Sequence, residues 1–267
     1  MKKELVRNFH EYLAAFLAAL SFLTRLPLPG FMHRRAESED AAEDFSRSVF
    51  WFPAVGLILG VLLALADMLL RMIFPLPLAA ALLLFLYILM TGGLHLDGLM
   101  DSADGLLSGR SPEKIREIMR DSSSGAFAVL TAILYIVIKL ICFWLLLPQW
   151  RAGAFIFMAM ISRLLLSLGL LHYPIVSDSL ARVFSRELTP GKILALISLP
   201  LLTTFLLLFL SYITLPAVLL AAVISLIAIF LISRKVINML DGLTGDVFGL
   251  LNETVELIIL LAIIALQ

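Results

Sequence analysis

Three carboxylates, Asp97, Asp101 and Asp104, stand at i, i+4 and i+7 in the run from Gly92 to Gly105, directly after an apolar stretch long enough to cross a bilayer. On a helix those offsets share one face, so the three acids read as a ladder of hard oxygen ligands at a membrane surface. Like charges this close repel unless a cation lies among them. Mg²⁺ or Mn²⁺ suits them best, because it takes carboxylate oxygens and shares its shell with substrate phosphates. Asp97, Asp101 and Asp104 are therefore the candidate metal ligands. The alternative is an ordinary acidic helix start favoured by the helix dipole, but Gly98 and Gly105 are poor helix formers kept beside the acids. His95 directly precedes the ladder and reads as a base, a ligand or a hydrogen-bond partner of a phosphate.

The elements that must position these acids are membrane helices. Of 267 residues, 61% are hydrophobic and 15% charged, with mean hydropathy +1.05, far from the quarter of charged residues usual in soluble domains. The zero formal net charge gives no nucleic-acid footprint. The single cysteine, Cys142, excludes an internal disulfide. Glu11 and the lack of a small-residue cleavage site argue against a signal peptide at the N-terminus. Runs of about 20 apolar residues place spans near 49–70, 77–95, 126–147, 152–171, 193–212, 214–233 and 246–266. The apolar segment 11–26 is short and is expected to lie in the interface or re-enter. The fold class is thus all-α, a polytopic helix bundle with about seven spans, a short N-terminal interfacial or re-entrant helix and a cytoplasmic helical loop, forming one domain over 1–267. If the loops 27–48, 96–125, 172–192 and 234–245 share a side, that side holds twelve Lys and Arg, against Arg71 and Arg151 opposite. Basic loops stay cytoplasmic, so the ladder is expected to face the cytoplasm.

Further polar groups gather around the ladder in sequence. Ser111, Pro112 and Glu113 start a short helix that ends near Arg120. It is followed by Asp121, Ser122, Ser123 and Ser124, a hydroxyl-rich turn that either caps the next span or offers its amides to a phosphate oxygen. A second cluster runs from Asp241 through Thr244 and Asp246 to Asn252, Glu253 and Glu256, inside an apolar segment where ionisable groups face the bundle interior or a cavity. Lys139 and Arg163 lie near the middle of their spans and need partners there. Lys139 reads as an ion-pair partner, Arg163 as a phosphate ligand or the partner of Glu253, and Asp67 as structural. Acids, a divalent cation, bases and phosphate-friendly turns at one membrane face suit phosphoryl or phosphodiester transfer, which needs charge neutralised and aligned.

The run from Thr91 to Leu106 (TGGLHLDGLMDSADGL), then Glu117 to Ser122, then Leu243 to Gly249 with Asn252 and Glu253, resembles the cobalamin synthase family, the adenosylcobinamide-GDP ribazoletransferases. Phe22 to Pro27, Phe50 to Gly56 and the Ser162–Arg163 pair support the resemblance over nearly the whole chain. Two positions depart from the family pattern. Ser123 stands where many members have Arg, a phosphate contact that Arg120 would replace, and Asp241 replaces a frequent Gly. The resemblance implies a bacterial or archaeal inner-membrane, Mg²⁺-dependent enzyme. It joins α-ribazole, or its 5′-phosphate, to adenosylcobinamide-GDP and releases GMP. It further implies catalytic roles for Asp97, Asp101, Asp104, His95 and Asp246, and substrate contacts from Arg25, Arg120, Asp121, Ser122, Arg163, Thr244, Asn252 and Glu253. A homo-oligomer and association with other late enzymes of the pathway are compatible with it. A CDP-alcohol phosphotransferase shares the chemistry but requires an Ala-Arg after Asp-Gly-x₂ and later paired aspartates that this chain lacks. A secondary transporter also keeps charges in its spans, but is expected to show inverted repeats and a midplane site.

Overall fold

The computed structural model describes residues 2–27, 41–176, 179–184 and 190–267. Among them the chain forms helices α1 (Lys2–Leu23), α2 (Ala41–Arg47), α3 (Phe52–Ile73), α4 (Leu76–Thr91), α5 (Leu94–Leu107), α6 (Pro112–Arg120), α7 (Ala126–Leu145), α8 (Arg151–His172), α9 (Pro190–Phe209), α10 (Leu215–Leu240) and α11 (Gly245–Ala265). The only extended pairing among the described residues is an isolated bridge between Ile175 and Leu243. Among the described residues six helical segments are long and apolar enough to cross a bilayer, or seven if the bent pair α4 and α5 is counted as one span. The all-α membrane bundle expected from hydropathy is therefore present. Arg34, Arg35 and Arg186 of the basic-loop tally lie outside the described residues.

The centre of the bundle is α8 and α11, the crossing helices with the largest buried share, whereas α9 and α10 are mostly exposed and present leucine and phenylalanine outward. The tightest packing is α3 against α8. Gly56 and Gly60, four apart on α3, bring its backbone onto that of α8, where a Cβ on Gly56 would stand 2.3 Å from the Ala159 carbonyl oxygen. Small residues at this spacing allow close helix contact where no hydrophobic drive separates protein from lipid. At the far end the buried Arg151 donates through Nε and Nη2 to Asp67, at 2.8 and 2.5 Å, and through Nη1 to the Phe143 and Leu146 carbonyls. One side chain thus clasps α3, α7 and α8, and Asp67 also pairs with Arg71, the other basic residue on that face, at 2.9 Å.

Two expectations are corrected. The stretch 77–95 is not one straight span. α4 stops at Thr91, Gly92 and Gly93 adopt φ of 64° and 69°, and α5 leaves at 88° to α4. Consecutive left-handed residues fit glycine because it lacks a Cβ, and α4's 16 residues rise only about 24 Å, short of the ~30 Å hydrocarbon thickness. The chain therefore turns before leaving the bundle, and α5 runs across the ends of α7 and α11 rather than onward from α4. Second, the loop placed at 234–245 is largely helix. α10 continues through Arg234 and Lys235 to Leu240, leaving a four-residue turn braced by the Ile175–Leu243 bridge.

Candidate active site

α5 is the platform of the site. Its buried side carries His95, Gly98, Leu99, Ser102, Ala103 and Gly105, while Asp97 is exposed and Asp101 and Asp104 are partly buried. The glycines beside the acids have a packing purpose. A Cβ on Gly98 would lie 2.8 Å from the Asp246 carbonyl oxygen and 3.2 Å from the Gly249 Cα, and one on Gly249 would lie 3.0 Å from the His95 carbonyl oxygen. Gly98 and Gly249 are thus the crossing point of α5 and α11. Gly105 plays the same part for α6, where Met119 and Ile115 fill the space of its missing side chain.

This crossing carries Asp246, in the first turn of α11, to the ladder. Burial first, and then the charges of Asp97, Asp246 and Asp104, push the Asp101 carboxyl up to about 6. Four acids on two helices therefore share one field, although some 150 residues separate Asp97 from Asp246 along the chain. Thr244 is the N-cap of α11: its hydroxyl accepts from the Val247 N–H at 3.4 Å and donates to Asp246 Oδ2 at 3.4 Å.

Asp104 departs from the ladder. Its Oδ2 accepts from the Gly125 N–H and its Oδ1 from the Ala128 N–H at 2.9 Å, so it caps α7 from a neighbouring helix and adds negative charge where the helix dipole favours it. Two of the amides at this helix start, those of Gly125 and Ala128, are thereby taken by Asp104. The turn itself is ordered by Asp121, whose Oδ1 accepts from the Ser123 N–H at 2.9 Å and from its hydroxyl at 2.5 Å. Those bonds hold the Asp121 carboxyl below the usual range. Arg120, Asp121 and Ser122 are exposed at the end of α6 and the turn after it. Arg25 is also exposed. Its N–H donates to the Met90 carbonyl at 2.7 Å and its side chain lies over Gly92, at the bend between α4 and α5.

Arg163, Asn252 and Glu253 lie elsewhere than at the acid face. They belong to a polar network closed inside the bundle, and its centre is Glu256, which is fully buried. Glu256 accepts from Tyr87 Oη of α4 at 2.6 Å, from Lys139 Nζ of α7 at 2.5 Å, from Arg163 Nη1 of α8, and from Asn252 Nδ2 of its own helix at 3.2 Å. Glu253 pairs with Lys139 Nζ at 3.0 Å and with the Tyr135 hydroxyl, not with Arg163 as the sequence suggested. Two carboxylates thus face two bases, and the cluster is neutral. Lys139 is an ion-pair partner, as expected, while Arg163 donates to Glu256, Tyr87 and Ser162 instead of to a surface phosphate. Arg163 Nε and Nη2, Asn252 Oδ1 and His95 Nδ1 are buried without a partner. Glu256, Tyr87 and Tyr135 were not among the candidate site residues. The cost of an ionisable group inside an apolar segment was the sequence signal for Glu256, and the spacing of Tyr135 and Lys139, one helical turn apart, was the signal for that tyrosine.

Among the described residues no three His, Cys, Asp or Glu side chains converge into a ready-made metal cage, and the diversion of Asp104 to α7 accounts for part of that. The remaining donors, Asp97, Asp101 and Asp246, are all hard oxygens. Mg²⁺ ordinarily uses one or two carboxylates and completes its shell with water and substrate phosphate, so this set has the chemistry to hold it with a diphosphate present.

A family model described as cobalamin-5-phosphate synthase matches residues 15–264. The chain belongs to that family. It is 40% identical over 248 residues to the adenosylcobinamide-GDP ribazoletransferase of Desulfitobacterium hafniense, covering 91% of this chain and 93% of the relative. It is 36% identical to the Brevibacillus brevis protein of the same name, covering 94% and 97%, and 33% identical to that of Escherichia coli K12, covering 93% and 98%. No solved structure matches the chain. Membership in the cobalamin-5-phosphate synthase family sets aside the phospholipid transferase and transporter readings. Asp241 ends α10 with φ 59°, the left-handed helix stop that glycine favours and aspartate tolerates.

Proposed function

We propose that this chain is an adenosylcobinamide-GDP ribazoletransferase that acts with Mg²⁺ at the cytoplasmic face of a bacterial or archaeal inner membrane. The hydroxyl of α-ribazole, or of its 5′-phosphate, attacks the phosphorus on the cobinamide side of the diphosphate. A new P–O bond forms, the bond to the GMP oxygen breaks, and the hydroxyl proton is released. The observation that carries this reading is the meeting of Asp246 with Asp97 and Asp101 at the Gly98–Gly249 crossing, in a chain whose relatives bear that enzyme name. Asp97, Asp101 and Asp246 would hold Mg²⁺, which when bound supplies charge neutralisation for the diphosphate and the departing GMP. Asp104 keeps α5 in place by capping α7, and Arg25 and Arg120, exposed near the two ends of the platform, are suited to substrate phosphates. The twelve-to-two excess of basic residues on the loop side supports the cytoplasmic orientation.

The test is direct. Purified protein in detergent, given adenosylcobinamide-GDP and α-ribazole, should release GMP with Mg²⁺ and stop when EDTA removes it. Absence of GMP with either ribazole or its 5′-phosphate would overturn the assignment, and undiminished release in EDTA would overturn the metal.

A further inference from the structure

The Glu256 network lies inside the bundle, yet each helix that enters it except α8 is tied to the acid cluster. Tyr87 stands five residues before the Gly92 bend, so its helix leads straight into the platform α5. Glu256 follows Asp246 by ten residues on α11, about 15 Å along one rigid helix. Lys139 lies on α7, whose first turn is gripped by Asp104. A charge network in hydrocarbon has few satisfactory arrangements, because every group left unpaired there is costly. Fixing Tyr87, Lys139, Arg163 and Glu256 to one another therefore fixes the heights of α4, α7, α8 and α11.

From this we infer that Glu256 is a positioning residue for the transfer reaction: its bonds to Tyr87, Lys139 and Arg163 set the register of α4, α7 and α11, and so bring Asp246 to Asp97 and Asp101. The inference rests on the acid cluster being the catalytic site, and it assigns Glu256 no contact with substrate. A network serving stability alone would act through its neutral charge. A registering network acts through its particular bonds.

The distinction is measurable. Glu256→Gln leaves two bases facing one acid, so the single variant is paired with Lys139→Met/Glu256→Gln, which restores neutrality but removes the bridge from α7 to α11. The double variant is expected to insert, but because Glu253 loses its base and Arg163 its acid, its melting temperature should fall as that of the control below does. Its kcat should remain down by about a hundredfold, the scale of a 1 Å misplacement, with KM for both substrates changed by less than about threefold. An unrelated buried pair provides the control: Asp67→Asn/Arg151→Met, at the far end of α3 and α8, should lower the melting temperature without lowering kcat. A readout independent of turnover is the distance between spin labels at the exposed Leu107 of α5 and Leu261 of α11. That distance should be narrowly distributed in the wild type and should shift or broaden in the double variant. Recovery of kcat, or an unchanged label distance, would overturn the inference. If the wild type released no GMP while the label distance shifted, the transferase assignment would fail and the registering role of Glu256 would stand.

Discussion

Asp104 and Asp101 occupy adjacent turns of one helix and do different work, because one oxygen set faces amides and the other faces acids. Asp97→Asn and Asp101→Asn should each leave insertion intact and lower turnover by at least about a hundredfold, the scale of losing one preorganised electrostatic group. Asp104→Ala should in addition lower the melting temperature, since a lost helix cap costs about 0.5–2 kcal/mol; wild-type melting in that variant would contradict the capping role. The Asp101 carboxyl gives a pH signature. Its folded value of about 6 lies above the ordinary 3.8, so the folded state holds this proton more tightly than the unfolded state does. Stability of the metal-free protein should therefore fall as pH rises from about 4 through 6, and the full penalty should be present above that. Mg²⁺ should raise the melting temperature more at pH 7.5 than at pH 5, because the ionised form binds it. An equal pH slope in Asp101→Asn would refute the assignment. The acids themselves were legible from spacing alone. The role of Asp104 was not, since nothing local to residues 97–105 tells that α7 begins beside them.

Helices cross where side chains vanish, and the site exists because α5 and α11 do so at Gly98 and Gly249. Gly98→Ala should force its Cβ against the Asp246 backbone, where 2.8 and 3.0 Å are already too close, and push the two helices apart. Turnover should drop by at least about tenfold while the protein still inserts, measured as GMP release per mole of membrane-extracted protein. Unchanged turnover in both Gly98→Ala and Gly249→Ala would deny that close approach matters. That Gly98 and Gly105 were unusual could be read from the sequence. Their purpose could not, because the partner surfaces belong to α11 and α6. The Gly92–Gly93 pair was similarly visible as a turn signal, but hydropathy continued across it and hid the bend.

At the scale of the molecule, the basic loops predict the orientation of the chain, and a buried network joins α4, α7, α8 and α11. The spans and fold class were legible because a bilayer demands long apolar helices. The internal pairing was only half legible: the presence of Lys139, Arg163, Glu253 and Glu256 requires partners, but which acid meets which base depends on helix rotation, and Arg163 takes Glu256 while Lys139 bridges both acids. With Cys142 replaced by Ala, a cysteine at Ser108 should react with an impermeant thiol reagent only from the cytoplasmic side, and one at Gln149 only from the other. Labelling of both from one side would invert the arrangement. The central claim is that an acid from the C-terminal helix completes the site begun by Asp97 and Asp101. The most direct measurement is GMP release by Asp246→Asn over a range of Mg²⁺ concentrations, beside its melting temperature. The account predicts turnover lower by at least about a hundredfold in a protein that inserts and melts like the wild type; full turnover in that variant would contradict it.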